Sequence, residues 1–207
     1  MSPKVLLIDS DLSGEISELM SDSEVISVDI ETSGLDWKSE RIATCQLYSA
    51  NADLAAIIRI GDERPTRLIS LIDDEAVKKV FHHAMFDLRF IVNTWGGEPS
   101  NIACTKICSK LLFPNEPQKQ RLQYLIEQFL NLDICKNETI SDWFAKELTE
   151  SQITYAINDV LYLQPLLSQL TIQLDSQNLG ELAERCFDFI PARVSLDLLG
   201  PGDVFVY

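Results

Sequence analysis

The sequence predicts an α/β fold, a mixed sheet flanked by helices with a helical carboxyl-terminal half. Apolar runs of strand length cluster in the first half of the chain, helical apolar spacing alternates with them and then takes over, and no internal repeat or low-complexity tract divides the chain. At 207 residues the chain can bury a sizeable core. One domain over residues 1–207 is expected, with a tail from about 178 to 207 apolar enough to dock on that domain or on a neighbouring subunit.

The elements follow in order. KVLLID reads as a short strand, and DLSGEISELMSD as a helix starting near Asp11 or Ser13. SEVISVDIET is the next strand. RIATCQLYSA and ADLAAIIRI, separated by a turn at SANAD, complete an antiparallel meander with it. TRLISLIDDEAVKKV has helical periodicity after Pro65, while VKKVFHH reads as a short strand. AMFDLRFIVNTW is a helix stopped by Gly96 and Gly97, SNIACT a short strand, and KICSKLLF a helix ended by Pro114. From QRLQYLIEQFL onward almost everything reads as helical. LTESQITYAINDVLYLQPLLSQLTIQLDSQ carries a capping box at Thr149 and Gln152, and Pro165 bends that helix or marks a break.

Composition narrows the function classes. Seventeen basic against 32 acidic residues give a net charge of −15, so long-range attraction to a polyanion is not expected, and any nucleic acid must be met locally. No run reaches the roughly 18 apolar residues of a membrane span, and the first residues lack the basic start and long apolar core of a secretory signal. A cytoplasmic protein without membrane partners is expected. The cysteines, Cys45, Cys104, Cys108, Cys135 and Cys186, are odd in number and form no CxxC pair, which points to reduced thiols used as small apolar residues.

Carboxylates carry the chemistry. Residues i and i+2 of a strand share a face, so Asp29 and Glu31 stand side by side, and such a pair repels unless a cation lies between them or one is protonated. Asp87 falls in the first turn of a helix after a strand, and Tyr155 and Asp159 are adjacent on one helix face. Taken singly, each has an ordinary explanation: a solvated strand end, a first-turn acid complementing the helix dipole, a solvated helix face.

Together, VDIETSGL, HHAMFDLRFI and SDWFAKELTESQITYAINDVLYL resemble the three motifs of the ribonuclease D type within the Asp-Glu-Asp-Asp-Tyr 3′-5′ exonucleases, over about residues 20 to 175. Within that family the likeness extends through CTKICSKLL and CFDFIPARVSLDLLG to the nano-RNase C branch, which lacks the helical nucleic-acid domains of ribonuclease D. The resemblance implies a ribonuclease H-like fold and removal of nucleotides from a 3′ end. It implies that Asp29, Glu31, Asp87 and Asp159 ligate two divalent ions, Mg²⁺ or Mn²⁺, and that Tyr155 orients the attacking water. Oxygen donors suit such hard ions. It also implies that Thr32 meets the terminal nucleotide through backbone and that Leu35 wedges beside a base, core packing being the other reading of Leu35. Gly34 serves the turn. The family commonly has Asn or another residue at the position of His83, a candidate substrate contact, and one of His82 and His83 is expected to hydrogen-bond within the fold and help set the approach to the site. Ser141, Asp142 and Trp143 resemble the lead-in to the third motif. Lys106, Lys110, Lys119 and Arg121 are candidate phosphate contacts.

The expected partners are short RNA 3′ ends or dinucleotides, with single-stranded DNA open, and a homo-oligomer, an octameric ring by resemblance. Two other functions stay open at this point: a general 3′-5′ exonuclease on longer RNA or DNA, and a catalytically silent nucleic-acid-binding or assembly module.

Overall fold

The computed structural model describes residues 3–134 and 141–206, so Cys135 and Tyr207 lie outside the described residues. Six strands form one mixed sheet: β1 (Lys4–Asp9), β2 (Val25–Thr32), β3 (Ile42–Ser49), β4 (Leu54–Arg59), β5 (Lys78–Phe81) and β6 (Ile102–Cys104), in the order β1-β4-β3-β2-β5-β6. β2, β3 and β4 are the expected antiparallel meander, whereas β1 joins β4 and β5 joins β2 and β6 in parallel. Each parallel pair is separated in the chain by a connection that contains a helix, as parallel pairing requires.

Around the sheet lie α1 (Gly14–Ser21), α2 (Thr66–Asp73), α3 (Ala84–Trp95), α4 (Thr105–Leu112), α5 (Leu122–Leu130), α6 (Glu150–Leu161), α7 (Leu163–Ser176) and α8 (Gly180–Leu199). A 3-10 turn spans Pro117–Gln120. The periodicity after Pro65 splits where the two readings overlap: α2 stops at Asp73, and Lys78 onward is strand. The long helix of the third motif is broken at Tyr162, and Pro165 falls in the first turn of α7, where a missing amide hydrogen leaves no intrahelical bond unmade. The carboxyl-terminal segment docks on its own chain as α8, through Ala183, Phe187, Ile190 and Val194, against α3, α4, α7 and β6. Beyond it, Val204, Phe205 and Val206 remain exposed.

Alternation along β2 places the chemistry. Ile26, Val28 and Ile30 enter the large apolar core, with their cross-strand neighbours Cys45 and Leu47. Ser27, Asp29 and Glu31 face the other way, paired across to Tyr48, Gln46 and Thr44. α6 lies over that side of β2, β3 and β4, packing Tyr155, Ala156, Ile157 and Val160 with Tyr48, Ala55, Ile57 and Trp143.

Candidate active site

β2 delivers two carboxylates and α6 the third. Ligand oxygens of Asp29, Glu31 and Asp159 all lie within 4.8 Å of one another. Asp159 is 7% exposed, Asp29 and Glu31 half-buried. Three oxygen donors at such spacing repel one another as free anions, and they match the ligand type and reach of a hard divalent cation. α6 is fixed at its start: the Thr149 hydroxyl accepts from the Gln152 amide, and the Gln152 side chain accepts from the Thr149 amide at 2.9 Å. The same Gln152 side chain donates to Ser141 Oγ at 2.8 Å and to the Asp142 carbonyl at 3.0 Å, so the capping box also anchors the lead-in that presents Trp143. Trp143 is buried and packs on Tyr155 with ring centroids 5.9 Å apart.

One turn along α6, the Tyr155 hydroxyl donates to Asp159. Burial first, then Asp159, Glu31 and Asp29, push its pKa up. Asp87 is not one of the three clustered carboxylates among the described residues. It sits 2% exposed in the first turn of α3, and burial raises its pKa to about 7, with the backbone amides of Asp87 and Ile30 acting in the opposite direction. The Ile30 amide donates to the Asp87 carboxyl, which sets it beside β2, and burial first, then Asp29 and Asp87, raise the pKa of the buried Cys45 thiol.

A cleft of about 520 Å³ opens beside this group, lined by Glu31, Thr32, Gly34, Leu35, Trp143 and Tyr155. Leu35 is 84% exposed in its wall, so the core-packing reading of this residue fails: the Thr32–Leu35 turn projects away from the core. Thr32 Oγ1 donates to the Gly34 carbonyl at 2.6 Å and the Ser33 hydroxyl donates to Glu40, which staples the turn. A Cβ at Gly34 would come 2.8 Å from the Glu40 carboxyl carbon, the end of a flexible side chain that would have to swing aside. His83 caps α3 at the exposed surface and stacks on Phe86, a cleft-wall residue, at 6.2 Å. Partial desolvation of its ring, then Lys106, Lys110 and Arg89, holds its pKa below that of an ordinary histidine. Of the two histidines, His82 is the one that bonds within the fold, Nδ1 lying 2.9 Å from Thr105 Oγ1.

Other residues were not singled out by their types alone. Gln46, fully buried, stands across from Asp29, and its Nε2 donates at 2.6 Å to Thr44, which stands across from Glu31. Gln46 Oε1 meets no hydrogen-bond partner among the described residues. The sequence shows the alternation that sets polar Thr44 and Gln46 on one face of RIATCQLYS, and only the β2–β3 register brings them opposite the acidic pair. Conversely, two expected phosphate contacts are engaged: Lys106 Nζ donates to the Gln120 carbonyl at 2.7 Å, and Lys119 pairs with Glu116 at 2.6 Å. Cys45, Cys104, Cys108 and Cys186 are free thiols. No helix among the described residues is long and apolar enough to cross a membrane.

Comparison with known proteins gives the arrangement a context. Residues 6–175 match the 3′-5′ exonuclease domain family model. Ribonuclease D of Escherichia coli is 27% identical over 136 residues, covering 66% of this chain and 36% of that protein, so the chain spans about a third of the length of this curated relative. Among solved structures, Brucella melitensis NrnC bound to pGG superposes with a TM-score of 0.88 at 31% identity, covering 100% of both chains. The same protein with bound Mg²⁺ gives 0.87 at 30% identity, covering 99% of both. The mixed sheet flanked by helices is thus the fold of these nucleases.

Proposed function

This chain belongs to the 3′-5′ exonuclease family, and from that premise we propose that it is a metal-dependent exoribonuclease that hydrolyses short oligoribonucleotides, dinucleotides included, to nucleoside 5′-monophosphates. The observation that carries the reading is the convergence of Asp29, Glu31 and Asp159 within 4.8 Å, with the Tyr155 hydroxyl held on Asp159 at the edge of the cleft. One catalytic domain extends over the chain, and a homo-oligomer with Val204–Val206 at an interface completes the proposal.

The donor set fits hard cations. Asp29, Glu31 and Asp159, with Asp87 from α3, would hold two divalent ions, Mg²⁺ or Mn²⁺. When bound, such ions supply positive charge against the attacking and leaving oxygens of an in-line displacement. The chain's own residues do the rest. Tyr155 spends its one hydroxyl proton on Asp159, so its oxygen lone pairs face the cleft and can accept a hydrogen from water, aiming the water oxygen at phosphorus. Attack forms one P–O bond and breaks the bond to the 3′ oxygen, releasing a nucleoside 5′-monophosphate and a strand with a new 3′ hydroxyl. Thr32 and Gly34 offer backbone to the terminal nucleotide, Leu35 and Phe86 give the base an apolar wall, and His83 stands at the rim.

Short substrates are favoured by three observations. The cleft of about 520 Å³ suits one or two nucleotides rather than a long track. The net charge of −15 opposes a polyanion everywhere except where cations gather. NrnC, similar over its whole length, was solved with pGG.

The test is hydrolysis of a 5′-labelled RNA dinucleotide with Mg²⁺ or Mn²⁺, with product identification. Nucleoside 5′-monophosphates from the parent and none from a folded Asp29→Asn protein support the reading. No cleavage with either ion, or equal cleavage by Asp29→Asn, overturns it.

A further inference from the structure

A second concavity, about 430 Å³, opens at the same end of the sheet as the carboxylates and takes its walls from the start of β3, the segment after β4, the end of α3 and the segment before α6. Arg41, Arg64, Trp95 and Phe144 line it, with Ile42 and Ile60 at its base. Its volume is that of a ligand site, and its lining of cations, aromatic rings and aliphatic floor is what a nucleotide presents a match for: phosphate to guanidinium, base to ring.

Two further facts separate this groove from an ordinary charged surface. In a chain with 32 acidic residues, carboxylates pair with Arg59, Arg89, Arg185 and Arg193. Among the described residues neither Arg41 nor Arg64 has a carboxylate within 4.0 Å, although Asp62 shares the groove wall. Both guanidiniums are nonetheless held in place. Arg41 lies 4.8 Å from the centroid of the Phe144 ring, and Arg64 Nε donates to the Trp95 carbonyl at 2.8 Å, which leaves its terminal nitrogens as donors. An ordered guanidinium without a carboxylate, beside an exposed aromatic ring, has the donors that a phosphate accepts from.

The groove neighbours the carboxylate cleft. The Arg41 carbonyl accepts from the Ser33 amide at 2.9 Å, and Ser33 lines the cleft. Trp143 lines the cleft and its neighbour Phe144 lines the groove. Arg41 therefore stands beside Ser33 at the rim of the cleft.

We infer that this groove is a second subsite, which takes the upstream nucleotides of substrates longer than two residues through phosphate contacts to Arg41 and Arg64 and base stacking on Phe144 and Trp95. The inference rests on the exoribonuclease reading and names where that substrate's 5′ portion goes. A dinucleotide fills only the cleft; a pentanucleotide reaches the groove.

The test compares parent, Arg64→Ala and Arg41→Ala/Arg64→Ala on an RNA dinucleotide and an RNA pentanucleotide. The double variant should raise KM for the pentanucleotide about 10-fold, the loss expected for charge-assisted phosphate contacts, with kcat and both dinucleotide constants unchanged. Arg64→Ala, which leaves Arg41 on Phe144, should shift the same constant in the same direction by less. A parallel arm needs no turnover: anisotropy of a labelled pentanucleotide with chelator-treated protein should show the same weakening and a shallower salt dependence in the double variant. Equal losses on both substrates, or unchanged pentanucleotide binding and KM, overturn the subsite. Intact subsite binding without hydrolysis by the parent would instead count against the exoribonuclease reading alone.

Discussion

The two concavities at the carboxyl end of the sheet carry opposite charge. One gathers Asp29, Glu31 and Asp159 under α6; the other gathers Arg41 and Arg64 around Trp95 and Phe144. A net charge of −15 gives no general attraction for a nucleic acid, so the anion must be met by local cations: ions held by carboxylates where bonds break, guanidiniums where the strand is only held. On the proposed reading, the difference teaches that acidity here is a means of holding cations, and that arginine serves where no chemistry occurs. Damage to the acidic region should therefore act on turnover of every substrate, and damage to the basic region on affinity for the longer ones.

The largest effect is expected from the metal ligands. Chelation should abolish hydrolysis, with recovery on adding Mn²⁺ or Mg²⁺, and Asp159→Asn should lower kcat by about a thousandfold or more on dinucleotide and longer RNA alike, equivalent to roughly 4 kcal/mol. Circular dichroism and thermal melting should show the variant folded. Next, Tyr155→Phe removes the hydroxyl that aims water while leaving the ring on Trp143, and a kcat loss of about 100-fold with KM nearly unchanged is expected. Steady-state kinetics on the dinucleotide read it directly. The groove comes third, with its roughly 10-fold KM effect confined to longer RNA.

Smaller still are changes that touch neither region's contacts with substrate. Thr149→Ala removes the cap that starts α6 and should cost about 1 kcal/mol in denaturant unfolding. Lys79, fully buried with Nζ donating to the Asp74 carbonyl, serves as a control on charge as such. Burial holds its pKa at about 8, against the opposing fields of Asp74 and Asp73. An unfolded lysine titrates near 10.4, so between about pH 8 and that value the unfolded chain binds more protons than the folded one. This group's contribution to stability accordingly rises with pH across that window, by on the order of 1–3 kcal/mol, as the buried cation is relieved of its charge. Unfolding free energies from pH 7 to 10 should show that rise in the parent and a flatter profile in Lys79→Met, with hydrolysis of both substrates unaffected at pH 7.

Legibility differed between the two regions for a physical reason. The acidic region is built from short-range patterns: alternation in VISVDIET brings Asp29 and Glu31 to one face, and a one-turn spacing brings Tyr155 to Asp159. Such patterns are visible in the chain, and the capping box at Thr149 and Gln152 marked where α6 begins. The mixed sheet was legible too, because each strand's own periodicity is local; the break at Tyr162, in a run periodic on both sides, was left between a bend and a break. The groove has no local pattern. Arg41, Arg64, Trp95 and Phe144 come from four separate segments, and only the crossing of β3, β4 and α3 assembles them. Of the candidate phosphate contacts Lys106, Lys110, Lys119 and Arg121, Lys106 and Lys119 bond elsewhere, to the Gln120 carbonyl and to Glu116. Gln46 and Thr44 were legible as strand residues but not as neighbours of the acidic pair, since register across β2 and β3 is a long-range property.

The central claim is that this is a nuclease for short RNA, and single-turnover cleavage of 5′-labelled RNA from two to about 20 nucleotides with Mg²⁺ or Mn²⁺ tests it most directly. The account predicts rapid conversion of the shortest strands to mononucleotides, a steep decline with length, and no cleavage at any length by Asp29→Asn. Stepwise shortening of the longest strand at the rate of the dinucleotide would contradict it and leave a general 3′-5′ exonuclease in its place.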